Sequence, residues 1–188
     1  KGRWLMEKAI SMGSPHAENT AWCRSKLAMM LFHEGAYLPA AQVAKEGLRM
    51  APGHLPLLLA LGRIKAAQKD EKAAVSAYES VLAQGQHLEV LAALGDLHAS
   101  AGRTEEAEAF YQKVERMHEA NQAAGIHDHT FMARFFADHD RQLDRALELA
   151  QEHLNSQNVY DVDTLAWAHY KKGEFAEAKK CMERALRA

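Results

Sequence analysis

The residues of this chain best equipped for chemistry are its 11 histidines, its two cysteines and its 25 acidic side chains. The densest grouping is His127, Asp128, His129, Asp138, His139 and Asp140, donors that suit a transition metal. Zinc needs three or four of them converging on one point. His127 and His129 fall near the start of an expected helix and His139 near its end, ~15 Å away at helical rise, so one ion could engage all three only if the chain folded back. The cluster His127, His129 and His139 is therefore read as helix caps and solvated loop, and neither a metal nor a cofactor is expected.

Cys23 and Cys181 stand at opposite ends of the sequence and neither has a second cysteine close by, which argues against a disulfide framework and a thiolate zinc site. His33 and Asp96 could assist Cys23 only through folding that the sequence does not reveal, so Cys23 is expected to be a small buried apolar residue. The sequence contains no GxSxG elbow, phosphate-cradling glycine loop or HExxH pair. It is not expected to be an enzyme.

The elements that carry these residues follow from composition and pattern. With 48% hydrophobic and 26% charged residues, the chain of 188 residues has the balance of a folded globular protein. A formal charge of −2 gives no basic field for nucleic acid. Apolar runs such as Leu55 to Leu61 are far shorter than the ~20 residues of a membrane span. The chain opens at Lys1, and residues from Trp4 to Met12 read as an amphipathic helix and not as a signal peptide, so a truncated piece of a longer protein is expected. The cytoplasm is the first expectation for its location, with a periplasmic or lipid-anchored parent as the alternative.

Apolar residues recur at helical spacing almost throughout, and alternating β-branched runs are absent, so the chain is expected to be all-α. The pairs Leu27-Ala28, Leu61-Gly62, Leu94-Gly95, Met132-Ala133 and Leu165-Ala166 mark equivalent points, at steps of 34, 33, 38 and 33 residues. A second marker keeps the same period: Ala40, Ala74, Ala107, Ala146 and Ala178. A bulky residue followed by a small one lets one helix lie against the next, whose alanine faces it. Gly35, Gly102 and Gly173 fall between the two markers and permit the turn.

These residues resemble the tetratricopeptide repeat in degenerate form over nearly the whole chain. The last unit matches best, through Leu165-Ala166-Trp167-Ala168-His169-Tyr170, Gly173, Phe175, Ala178 and Ala185; the first follows, through Leu27-Ala28, Gly35, Tyr37, Ala40 and Pro52. The resemblance implies an α-α superhelical solenoid, one domain over residues 1–188, from a longer bacterial-type array. Its parts would be a half-repeat at 1–18, closed by Pro15, and five hairpins at 21–54, 55–87, 88–122, 126–158 and 159–188. The fourth departs most: one extra residue in its turn, around His139 to Gln142, puts Ala133 where a small residue is required. The segment Asn121 to Asp128 is expected to be a loop.

In this family the first helix of each hairpin lines a concave groove. Carried onto this sequence, the groove would present Trp22, Ser25, Met29 and Phe32, then Leu59, Arg63 and Ala66, then Glu89, Ala92 and Asp96, then Thr130, Arg134 and Ala137, and finally Asp163, Trp167 and Tyr170. Aromatic residues and arginines make interface hot spots, which brings Trp167, Tyr170, Arg63 and Arg134 to the front. The competing role for Trp167 and Tyr170 is to cover the end of the array. Where some relatives clamp a carboxylate with lysine and asparagine, this chain has Ser25, Met29, Arg63, Ala92 and Asp96, and Asp96 would repel it. His98 and His169 stand where the repeat usually has tyrosine and are expected in the core with a hydrogen-bond partner.

The expected function is a scaffold or adaptor that holds a protein or peptide partner in the groove. The alternatives are self-assembly through the array ends, giving a homo-oligomer, and service as the recruitment arm of a larger enzyme or secretion complex.

Overall fold

A computed structural model describes residues 2–13, 17–152, 154, 155 and 158–186. Pro15, expected to close the half-repeat, lies outside them. The described residues form eleven helices and no strand: α1 (Gly2–Met12), α2 (Ala17–His33), α3 (Tyr37–Met50), α4 (Leu55–Ala67), α5 (Glu71–Leu82), α6 (Leu88–Ser100), α7 (Thr104–Ala123), α8 (His129–Asp138), α9 (Leu143–Glu152), α10 (Val159–Lys171) and α11 (Phe175–Ala185). A single helix thus precedes five hairpins, and the fold is the all-α repeat solenoid that the resemblance implies. The chain divides within α7 into two compact units, 1–114 and 115–188.

The close approach of paired helices follows a volume rule. A Cβ on Gly62 would sit 2.3 Å from Tyr78 Cε1, and one on Gly95 would sit 2.4 Å from Tyr111 Cε1. Tyrosine on the second helix therefore requires glycine on the first. At the equivalent positions of the first and fourth hairpins the second helix carries Ala44 and Ala150, and the first helix carries Ala28 and Ala133; all four are buried. Gly47 repeats the device between hairpins, since a Cβ there would lie 2.5 Å from Leu57 Cδ1 on α4.

All five hairpins turn in the same way. The first helix ends with a residue at positive φ: Gly35 (76°), Lys69 (59°), Gly102 (75°), Asp140 (52°) and Gly173 (81°). The next N–H then reaches back to the carbonyl five residues earlier, as in Ala36 to Leu31 at 2.9 Å, Asp70 to Lys65 at 3.0 Å and Glu174 to His169 at 2.9 Å. That bond satisfies a carbonyl the helix end leaves open. In the fourth hairpin Arg141 bonds Phe136 at 2.8 Å in the same manner, and Gln142, at φ 40°, adds one residue before α9 begins. Ala133 is accordingly fully buried while Arg134 is exposed.

Helix α7 runs through Asn121 to Ala123, three residues into the segment expected as a loop. Alanine and glutamine extend it, and Gly125 at φ 72° ends it, with Ile126 N–H bonded to the Asn121 carbonyl at 2.8 Å. What remains of the loop is tied down: Asp128 accepts from Asn121 Nδ2 at 2.8 Å and faces the buried His118 Nδ1 at 2.5 Å.

Three substitutions test this account by denaturant melts. Gly62→Ala should lower stability by about 1–3 kcal/mol through overpacking, although alanine is the better helix former. Adding Tyr78→Ala recreates the pairing of the first and fourth hairpins, so it should cost less in the Gly62→Ala background than alone. Lys69→Gly should stabilise by roughly 1 kcal/mol, the steric cost of a left-handed non-glycine residue.

Candidate protein-binding surfaces

Within residues 1–114 the first helices are α2, α4 and α6. Trp22 is 47% exposed, with Lys26 Nζ 5.3 Å from its ring centre. Ser25, expected in the groove, is instead 3% exposed, and its Oγ donates to the Trp22 carbonyl at 2.7 Å, so it presents nothing to a guest. Ala92 is likewise buried. Met29 and Phe32 are half-buried against the core around Leu27 and Ile64. Leu59 and Ala66 play the same part against the core around Leu58 and Tyr78. Arg63 is exposed but engaged: its Nη2 donates to Glu89 Oε2 at 3.0 Å, tying α4 to α6. Asp96 is exposed and accepts from Tyr111 Oη at 2.9 Å.

Within residues 115–188 the first helices are α8 and α10. Arg134, at the same repeat position as Arg63, reaches Asp163 Oδ2 at 2.7 Å with Nη1 and Asp138 Oδ2 at 3.9 Å with Nε. Thr130 Oγ1 donates to Asp161 Oδ1 at 3.3 Å. Trp167 Nε1 donates to Asp138 Oδ1 at 2.7 Å, which fixes the indole beside the aspartates. Tyr170, 52% exposed, stacks on Trp167 with ring centres 5.4 Å apart and planes 10° from parallel. Ala137 is fully buried and leaves the set. The result is an aromatic plate with three aspartates, Arg134 and Lys171, whose Nζ lies 5.6 Å from the Trp167 ring centre. Exposed ion pairs of this kind contribute only ~0–1 kcal/mol each, so a guest can exchange them at low cost. Asp138 and Asp161 were missed as members of this surface; the available signal was that each lies within one helical turn, or one repeat, of Arg134 and Asp163.

The histidines divide by role. His98 Nδ1 accepts from Arg103 Nε at 2.9 Å, and His169 Nδ1 lies 2.6 Å from Glu174 Oε2. The His169 contact, first among its causes, holds the Glu174 carboxyl below its ordinary range. Lys65 Nζ and Asp70 Oδ2, 2.8 Å apart, occupy the same two repeat positions. His54 caps α4, accepting from Leu57 N–H at 3.3 Å. His127 Nδ1 and His129 Nε2 are 3.1 Å apart in stacked rings, while His139 sits at the other end of α8 with Nδ1 2.7 Å from the Phe135 carbonyl. His127 and His129 thus stand at one end of α8 and His139 at the other, and among the described residues no group of three or more His, Cys, Asp or Glu could hold a metal ion. Cys23 is half-buried; Cys181 is buried, which pushes its thiol up and away from nucleophilic use. No helix among the described residues is long and apolar enough to cross a membrane.

Two family models described as tetratricopeptide repeat match residues 88–121 and 163–188. The fold is similar to the crystal structure of YrrB, described as a TPR protein with an unusual peptide-binding site: TM-score 0.52, 15% identity, 97% of this chain and 91% of that one. It is similar to a tetratricopeptide repeat protein from Parabacteroides merdae, with TM-score 0.55 and 14% identity over 98% of this chain and 71% of that one. It is also similar to BtubC from P. vanneervenii, with TM-score 0.52 and 15% identity over 99% and 86%. No curated protein matches the sequence.

Burial pushes the Tyr78 phenol up to about 12; Arg63 opposes the shift, and Asp96 and Glu89 add to it. Because the folded value exceeds the ordinary 10.0, Tyr78 contributes stability fully present below pH 10 and lost as pH rises towards 12. Denaturant melts across that window should show stability falling by at most ~1.4 kcal/mol per pH unit from this group. Tyr78→Phe should flatten that part of the profile.

Proposed function

We propose that this chain is a non-catalytic tetratricopeptide-repeat scaffold whose first-helix faces hold a protein or peptide partner, with residues 1–188 acting as one repeat domain. The observation that carries the finer assignment is the stacked Trp167–Tyr170 pair beside Asp138, Asp161 and Asp163. Aromatic faces attract cations and aspartates pair with them, so a segment rich in lysine and arginine fits this surface better than an acidic one. Trp22, Met29, Leu59, Arg63 and Asp96 would contribute the corresponding contacts within residues 1–114, where Arg63 is balanced by Glu89. YrrB, whose fold is similar, is described as having an unusual peptide-binding site, which supports a peptide among the partners considered.

Self-assembly is a second reading, favoured by exposed apolar residues on α1 (Trp4, Leu5, Met12) and on α11 (Phe175, Met182). Sedimentation at several concentrations separates the two, since stacking would make the mass rise with concentration. Service as a recruitment arm of a larger enzyme or secretion complex is compatible with either.

Anisotropy titration with a fluorescein-labelled lysine–leucine peptide tests the assignment. Trp167→Ala and Asp163→Asn should each weaken binding about tenfold, as expected of hot-spot contacts. Arg63→Ala should leave helicity intact and stability within about 0.5 kcal/mol of wild type. Unchanged peptide affinity in both Trp167→Ala and Asp163→Asn, or unfolding of either, would remove this surface from the binding machinery.

A further inference from the structure

A second site lies within residues 1–114, on a different side of the hairpins from the first-helix faces just described. Leu38, Ala41, Lys45 and Arg49 follow at spacings of three and four along α3 and share one of its faces. Together with Lys65 and Gln68, at the end of α4, they line a cavity of about 230 Å³. Every charged residue in its wall is a cation, and no carboxylate lines it among the described residues.

Lys65 accounts for the local chemistry. It stands at the repeat position that holds His98 and His169 in the third and fifth hairpins, where an imidazole bonds the residue five further on. Here a lysine takes that place; its side chain is only 14% exposed, and its Nζ bonds Asp70. The Asp70 carboxyl is held below its ordinary value, first by that bond, then by the Ala73 N–H, with Lys45 adding a weaker pull. Glu46, which feels Arg49, accepts hydrogen bonds from Gln42 and Arg24. Asp70 thus neutralises Lys65, one of the cavity's own cations, and Glu46 is engaged by Gln42 and Arg24, so the cations a guest would meet are Lys45 and Arg49. Gln68 adds a buried Nε2 with no hydrogen-bond partner among the described residues, a donor that a small turn of the side chain would have to bring to a guest.

Size and polarity decide the class of guest. Small-molecule and cofactor pockets run to about 300–1,000 Å³, so this one suits a single side chain better than a nucleotide. Leu38 supplies an exposed apolar lip beside the cations. A bare phosphate would gain nothing from that lip, whereas a carboxylate on a short aliphatic stem uses both features. We infer that this cavity receives a glutamate or aspartate side chain from an acidic segment of a partner protein. It is distinct in place and in charge from the surface formed by Trp167 and the aspartates.

The test is fluorescence anisotropy with a fluorescein-labelled, C-terminally amidated hexaglutamate peptide at low salt. Wild type should bind it saturably, and Lys45→Gln/Arg49→Gln should weaken binding about tenfold or more. Both residues are exposed, and unchanged melting would show that the variant is folded. Removing two charges elsewhere, Lys179→Gln/Arg184→Gln on α11, should alter affinity by less than about twofold. Amide chemical shifts should move along α3 and at Lys65 to Gln68. Equal losses in the two double variants, or no loss in the first, would overturn the site. Displacement of the peptide by millimolar inorganic phosphate, but not by chloride of the same ionic strength, would make it a plain anion site and overturn the acidic-segment assignment.

Discussion

The distance between the two helices of a hairpin is the constraint on which the rest of this structure depends. Helix axes pack 8–10 Å apart according to the side chains at the contact, and here one position on each helix decides the matter. Glycine meets tyrosine in the second and third hairpins, and alanine stands with alanine in the first and fourth. Total volume at the contact is traded between partners. This keeps the helix ends in register for the five-residue hydrogen bond of the turn, and the turn in turn fixes which residues of each first helix face outward. Arg63 and Arg134 are exposed because Gly62 and Ala133, one residue earlier, are locked inward.

Much of this was legible in the sequence because it rests on local spacing. The paired markers located all five hairpins, and the small residue at Ala133 fixed the fourth despite its longer turn. Two left-handed turn residues were not legible, since Lys69 and Asp140 take a conformation that sequence assigns to glycine. The hydrogen bonds and helix-forming composition around Asn121 carried α7 beyond its expected end.

The surfaces were less legible than the frame. A helical wheel places Ser25, Ala92 and Ala137 near the exposed faces, yet neighbouring residues cover all three. Arg63 and Arg134, chosen as contact residues, are both exposed, but sequence could not tell that each spans to a carboxylate on the next first helix. Those partners lie 26 and 29 residues away, at distances that depend on turn length. His98, His169 and Lys65 were legible only as departures from tyrosine; that they share one bonding scheme with the residue five ahead required coordinates.

Helix α1 carries a consequence for dynamics. It buries none of its residues and engages the adjoining core only through the half-buried Met6 and Ile10. In a linear stack each element is stabilised by its neighbours alone, so an element with so little apolar area should open at a small fraction of the global unfolding free energy. Its amides would exchange with solvent while those around Leu57 and Ile64 stay protected. Each such excursion would briefly uncover the Met30 side of α2, lending the domain a transient greasy edge without any loss of its deeper hairpins.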